Sequence, residues 1–70
     1  MVKVLEQTQE AYNPRVVRVS LYADTKEELT FGNTADGIVG IADGTTLAVG
    51  SDCFTSEKDL MMLDSNGDWV

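Results

Sequence analysis

Between Arg15 and Ala23 the chain alternates: Val17, Val19, Leu21 and Ala23 are apolar, with Arg18, Ser20 and Tyr22 set between them. Period-two alternation in a run rich in β-branched residues specifies a strand with one face buried and the other wet. The rest of the chain offers short apolar runs separated by turns rich in Gly and Asp, and a length of 70 residues admits one small domain. The expected fold is mostly β: a small antiparallel meander, sandwich or open barrel with an N-terminal arm.

The arm is expected over residues 1–14, and the β domain over residues 15–70. Leu5, Gln9 and Tyr12 make only a weak helical stripe, and Asn13-Pro14 ends any helix because proline pushes the residue before it out of the α region. The arm, extended or partly helical, is expected to order against a partner. Its apolar residues Val2, Val4, Leu5 and Tyr12, together with Arg15 and Arg18, are the candidate partner-binding residues. Deleting residues 1–13 is expected to leave the body folded, since the alternation that builds it starts at Val17.

After the strand, Asp24 or Thr25 caps a single helical turn. Leu29-Thr30-Phe31 and Ile38-Val39-Gly40-Ile41 read as short strands, the latter between two Ala-Asp-Gly triplets at 35–37 and 42–44. Strand material at 46–49 and 51–55 is interrupted by Gly50, which suits a bulge or bend. At the C-terminus, Asp64-Ser65-Asn66-Gly67 has the form of a type I turn closed by a glycine bulge. That register sets Leu63 opposite Trp69 and Met62 opposite Val70, and it predicts a largely buried Trp69.

Charge and composition narrow the function. The chain has no His and one Cys, which excludes a Ser-His-Asp triad, a Cys-His pair, a histidine-ligated zinc and an internal disulfide. No enzyme activity, cofactor or metal is expected. The net charge is −7, which speaks against nucleic acid and against an anionic membrane surface as partners. Residues 1–23 carry Lys3, Arg15 and Arg18 against Glu6 and Glu10, a net of +1, whereas residues 24–70 carry Lys26 and Lys58 against ten acids, a net of −8. The start of the chain lacks the apolar segment of a secretory signal. Cys53, beside Asp52, reads as a buried, inert thiol made in a reducing cytoplasm. The Asp64–Asp68 run does not fit a calcium loop: its Gly falls at the fourth position, where an EF-hand needs it at the sixth, and no Glu closes the loop. A sheet with open edges and a minimal core is expected to form a homo-oligomer.

The run Tyr22-Ala23-Asp24-Thr25-Lys26-Glu27-Glu28-Leu29, then Gly50-Ser51-Asp52-Cys53-Phe54, and the ending Met62 to Val70 resemble the small β-modules of tailed-bacteriophage structural proteins. Those modules carry an Asp-Thr-Lys-Ala-Glu-Leu box, then a Gly-Asp or Gly-Ser strand, and close on a hairpin ending in Trp-Val. This chain lacks their Pro after Leu29 and has a longer Gly-rich insertion at 32–44. The resemblance implies a non-enzymatic virion component, made in the bacterial host cytoplasm. The favoured role is a small capsid decoration protein, head-fibre-like, that binds the major capsid protein through its arm. A tail or baseplate accessory is the alternative within that class. Outside it stand an acidic inhibitor that mimics nucleic acid and a carbohydrate-binding module using Trp69 and Tyr22.

Overall fold

In the computed structural model, which describes all 70 residues, the alternating run forms the strand around which the sheet is assembled. β1 (Lys3–Tyr12) and β2 (Arg15–Ala23) make a long antiparallel hairpin that runs from Lys3 opposite Tyr22 to Tyr12 opposite Arg15. Asn13-Pro14 does end the first segment, but as the tip of this hairpin. Its peptide bond is cis, which suits proline at the third position of a tight turn. The arm expected over residues 1–14 is thus extended and hydrogen-bonded to β2. Two bulges interrupt the ladder, between Val4 and Glu6 and between Gln9 and Ala11.

A single 3-10 turn (Lys26–Glu28) follows β2, with Thr25 in the capping position and the Glu28 carboxylate accepting from the Asp24 N–H at 3.0 Å. The remaining strands are short: β3 (Thr46–Leu47), β4 (Asp52–Thr55) and β5 (Leu60–Met62). The order across the sheet is β1-β2-β4-β5, with β3 pairing β2 ahead of β4. The fold is mostly β, and the five-stranded sheet is mixed and not closed. β3 and β4 both run parallel to β2, and only β1–β2 and β4–β5 are antiparallel. The reason lies in the long connection. Parallel neighbours need a crossover, and the chain between β2 and β3 supplies it, laying Leu29, Phe31, Ala35, Ile38 and Ile41 over the apolar face of β2.

That crossover is not built from the strands expected at 29–31 and 38–41. Gly37 and Gly40 take positive φ values of 70° and 100° on either side of Ile38-Val39. They cut the extended run down to one bridge, from Val39 to Lys3. The two Ala-Asp-Gly triplets instead close on each other: the Gly44 N–H donates to the Ala35 carbonyl, and the Gly37 N–H donates to Asp43 Oδ1, both at 2.9 Å.

The core is the alternation made solid. Val17, Val19, Leu21 and Ala23 are buried with Leu47, Cys53 and Leu63 from the later strands, and with Ala35 and Ile38 from the crossover. Val2 belongs to the same cluster, and Val4 packs against it. Removing residues 1–13 would therefore take a core side chain and one whole ladder from β2.

At the C-terminus the register is the one the turn chemistry specifies. Leu63 bridges Trp69, and Met62 exchanges backbone hydrogen bonds of 2.8 and 2.9 Å with Val70. The Asp64 carboxylate serves the turn, accepting from the N–H groups of Asn66 and Asp68 at 2.9 Å each. Trp69 is half-buried, short of the burial expected. Its indole N–H donates to the Gly32 carbonyl at 2.9 Å, and its ring meets Phe31 edge-on with centroids 5.9 Å apart.

Where β3 leaves β2 and β4 has not yet begun, the Val19 N–H has no backbone partner. The hydroxyl of Ser51, fully buried, accepts from it at 3.1 Å and donates to the Ala48 carbonyl at 2.7 Å. Ser51→Ala should leave that amide buried without a partner and lower unfolding stability by about 1–3 kcal/mol. Urea denaturation of the two proteins checks this, and equal midpoints would show that the hydroxyl does not support the strand junction.

Candidate functional site

The β1–β2 hairpin forms an N-terminal ribbon whose outer strand, β1, lies beside the core. Leu5 through Glu10 are all exposed, although Gln7 and Gln9 stand opposite the buried Val19 and Val17. The crossover covers β2 but meets β1 only at its base, where Val39 lies beside Lys3 and Val4, so a polar strand is tolerated beyond it. On its outer edge β1 pairs only at Lys3, with Val39. From Leu5 to Tyr12 that edge is open, and an open edge is a template for another strand. The two bulges leave regular pairing geometry only over Glu6–Gln9, which shortens what the edge offers by backbone alone.

The structure divides the six candidate partner-binding residues into three groups. Val2, 6% exposed, and the half-buried Val4 anchor the base of the ribbon in the core; the Val4 N–H donates to the Val39 carbonyl at 2.9 Å. Leu5, 55% exposed, sits in the first bulge, and Tyr12, 83% exposed, stands at the tip with Arg15 opposite it. Arg18 lies on the sheet face turned away from the core. There its Nε donates to Glu10 Oε2 at 2.7 Å, and its guanidinium lies over Gly50, where a Cβ would fall 2.8 Å from Nη1. Leu5, Tyr12 and Arg15 are thus free to meet a partner, whereas Val2 and Val4 hold the ribbon in place.

Between β1 and β2 lies a hollow of about 150 Å³, lined by Glu6, Gln7, Thr8, Arg18, Val19 and Ser20. Its walls are mainly polar, and Arg18 in it is already neutralised by Glu10. The hollow can order a few waters or receive a short polar side chain.

Phe54, Leu60, Met62 and Val70 are exposed apolar residues that reasoning from the sequence did not single out. A signal for them exists: Phe54 alternates with the buried Cys53 and Thr55, and Leu60 and Met62 flank the half-buried Met61. No protein-family model, curated protein or solved structure matches this chain.

Cys53, buried on β4, has its thiol pushed up to about 11, first by burial and then by the negative charges of Asp52 and Glu28. In the folded protein the thiol stays protonated until about pH 11, while in the unfolded chain it ionises from about pH 9. Between those values the unfolded state binds fewer protons, so stability falls as pH rises, and below pH 9 the group contributes no slope. Over that window the wild type should lose about 1–2 kcal/mol more than Cys53→Ala, in which the other titrating groups are unchanged. Thermal melts at alkaline pH measure the difference, and parallel curves for the two proteins would show that the thiol ionises freely in the fold.

Proposed function

We propose that this chain is a non-enzymatic structural protein of a bacteriophage virion, a small decoration protein on the head surface, and that it binds the major capsid protein through its N-terminal ribbon. The observation that carries this reading is the ribbon itself: β1 is rooted in the core by Val2 and Val4, bears Leu5 and Tyr12 exposed, and keeps its outer edge open from Leu5 to Tyr12. A strand or loop of a larger body that adds to this edge gains main-chain hydrogen bonds, while Leu5 and Tyr12 provide apolar anchors. The charge step between residues 1–23 and the acidic remainder supports the same orientation, with the near-neutral ribbon towards the shell and the acidic loops towards solvent. The resemblance of residues 22–29, 50–54 and 62–70 to phage structural modules supports a virion as the assembly.

The acids do not favour nucleic-acid mimicry. The carboxylates of Asp43 and Asp64 are taken up by N–H groups of their own turns, and mimicry needs rows of free carboxylates at phosphate-like spacing.

Co-sedimentation with shells assembled from the major capsid protein of the same genome tests the proposal. The wild type should pellet with the shells. Leu5→Lys/Tyr12→Ala, which touches no core residue, should stay in the supernatant with an unchanged far-ultraviolet circular dichroism spectrum. A double variant that pellets as well as the wild type, or a wild type that does not pellet, would overturn it.

A further inference from the structure

The glycines that shape the turns of this chain also expose their neighbours to backbone chemistry. An asparagine followed by glycine can lose its side-chain amide to its own main chain: the glycine nitrogen attacks the asparagine Cγ, and with no Cβ on glycine the approach is unhindered. The chain has three asparagines, and one of them is followed by glycine. Asn13 precedes Pro14, which has no N–H to give up. Asn33 precedes Thr34, whose branched side chain crowds the nitrogen and whose N–H donates to the Phe31 carbonyl at 3.3 Å. Asn66 precedes Gly67 in the turn of the C-terminal hairpin, and it is exposed.

The two Asp-Gly pairs, at 36–37 and 43–44, have the same reaction open to them but are tied into a closed loop. The Gly37 N–H donates to Asp43 Oδ1 and the Gly44 N–H to the Ala35 carbonyl, both at 2.9 Å. Freeing either nitrogen means separating the two triplets. The Gly67 N–H is held only by the bond of its own turn, to the Asp64 carbonyl at 3.1 Å. A solvent-exposed turn of this kind opens locally without unfolding the sheet.

We propose that Asn66 is a site of spontaneous, one-way modification, and that its isoaspartate product releases the C-terminal hairpin. The Gly67 nitrogen gives its proton to solvent base and attacks Asn66 Cγ. The Cγ–Nδ2 bond breaks, ammonia leaves, and a five-membered succinimide closes. Water then adds to one of the two ring carbonyls. Opening at Cγ gives aspartate, and opening at the backbone carbonyl gives isoaspartate, in which Cβ and Cγ carry the main chain. Water is consumed, ammonia is released and nothing is oxidised.

The two products act differently on the fold. Aspartate keeps the backbone and adds a negative charge at an exposed position. Isoaspartate lengthens the main chain inside a turn that sets the register of Leu63 against Trp69 and of Met62 against Val70. Gly67, at a φ of 83°, is seated closely: a Cβ on it would lie 3.8 Å from Asn33 Cγ, and its carbonyl oxygen lies 3.3 Å from where a Cβ on Gly32 would be. An extra backbone atom displaces Gly67 from this seat and takes the following residues out of register. Trp69 then loses the Gly32 carbonyl and its edge contact with Phe31. No ribbon residue takes part, so the modification stands independently of capsid binding.

Incubation of the full chain in warm, mildly alkaline buffer tests this, with peptide mapping by mass spectrometry and enzymatic methylation to count isoaspartate. Asn66 should convert ahead of Asn33 and of both Asp-Gly pairs. The emission of Trp69, the one tryptophan, should move to the red in proportion to the isoaspartate formed. Freshly prepared Asn66→Asp, which carries the other product, should emit like the wild type. Asn66→Gln, whose longer side chain does not close the five-membered ring, should hold its emission through the same incubation. Conversion that falls first on Asn33 or an Asp-Gly pair overturns the proposal, as does an Asn66 that stays intact while the urea-unfolded chain converts fully. Isoaspartate that accumulates with the emission unchanged, or a red shift already present in fresh Asn66→Asp, overturns it as well.

Discussion

Everything in this fold depends on β2 having hydrogen-bonded neighbours along both of its edges. A strand whose alternate side chains are buried carries its backbone groups into the interior with them, and each unpaired group there costs as much as a lost hydrogen bond. β1 serves one edge of β2 along nearly its whole length. The other edge is served in two pieces, β3 at Val16 and Val17 and β4 from Ser20 to Ala23. Ser51 fills the gap between them, because a hydroxyl can accept from the Val19 N–H and donate to the Ala48 carbonyl at once. The crossover over residues 29–45 follows from this arrangement, since the chain must return to the start of β2 before it can run parallel to it.

The same arrangement leaves two surfaces without partners. The crossover is just long enough to cover β2, so β1 keeps a free edge, and the opposite face of the sheet stays bare. The charges follow this division. The crossover and the turns carry most of the acids, while Lys3 and Arg18 lie on the bare face and Arg15 at the tip of the ribbon. A protein of 70 residues with 14 buried side chains has a small core, and contacts made through the ribbon add to it.

What the sequence reveals and what it hides divide along physical lines. The alternation in β2 is legible because it is local and two-faced, and the buried set falls on Val17, Val19, Leu21 and Ala23. The C-terminal hairpin is legible because a Gly at the fourth turn position sets the register of the residues around it. Cys53 is buried because it falls, with Thr55, on the inward face of β4. β1 is not legible as a strand: it is wet on both faces and thus shows no period, and only Val2 and Val4 at its base reach the core. The parallel pairing of β2 with β3 and β4 is hidden because it depends on contacts more than 25 residues apart, through a crossover with no period of its own. The half-burial of Trp69 follows from Phe31 and Gly32, 38 and 37 residues away in sequence, and no local pattern announces that. The ribbon's exposed residues, Leu5, Tyr12 and Arg15, were readable as a candidate contact set; the anchoring role of Val2 and Val4 appears only with the core.

Amide hydrogen exchange followed residue by residue tests the central place of β2 most directly. If β2 is the doubly paired strand, the slowest amides are those of Val17 through Ala23 together with Cys53. Val19 should be among them although its acceptor is a side chain, and the amides of Gln7 and Gln9 on the open ribbon should exchange much faster. A slow set confined to β4, β5 and the C-terminal hairpin, with the Val19 and Leu21 amides exchanging as fast as those of the ribbon, would contradict the parallel pairing and the account built on it.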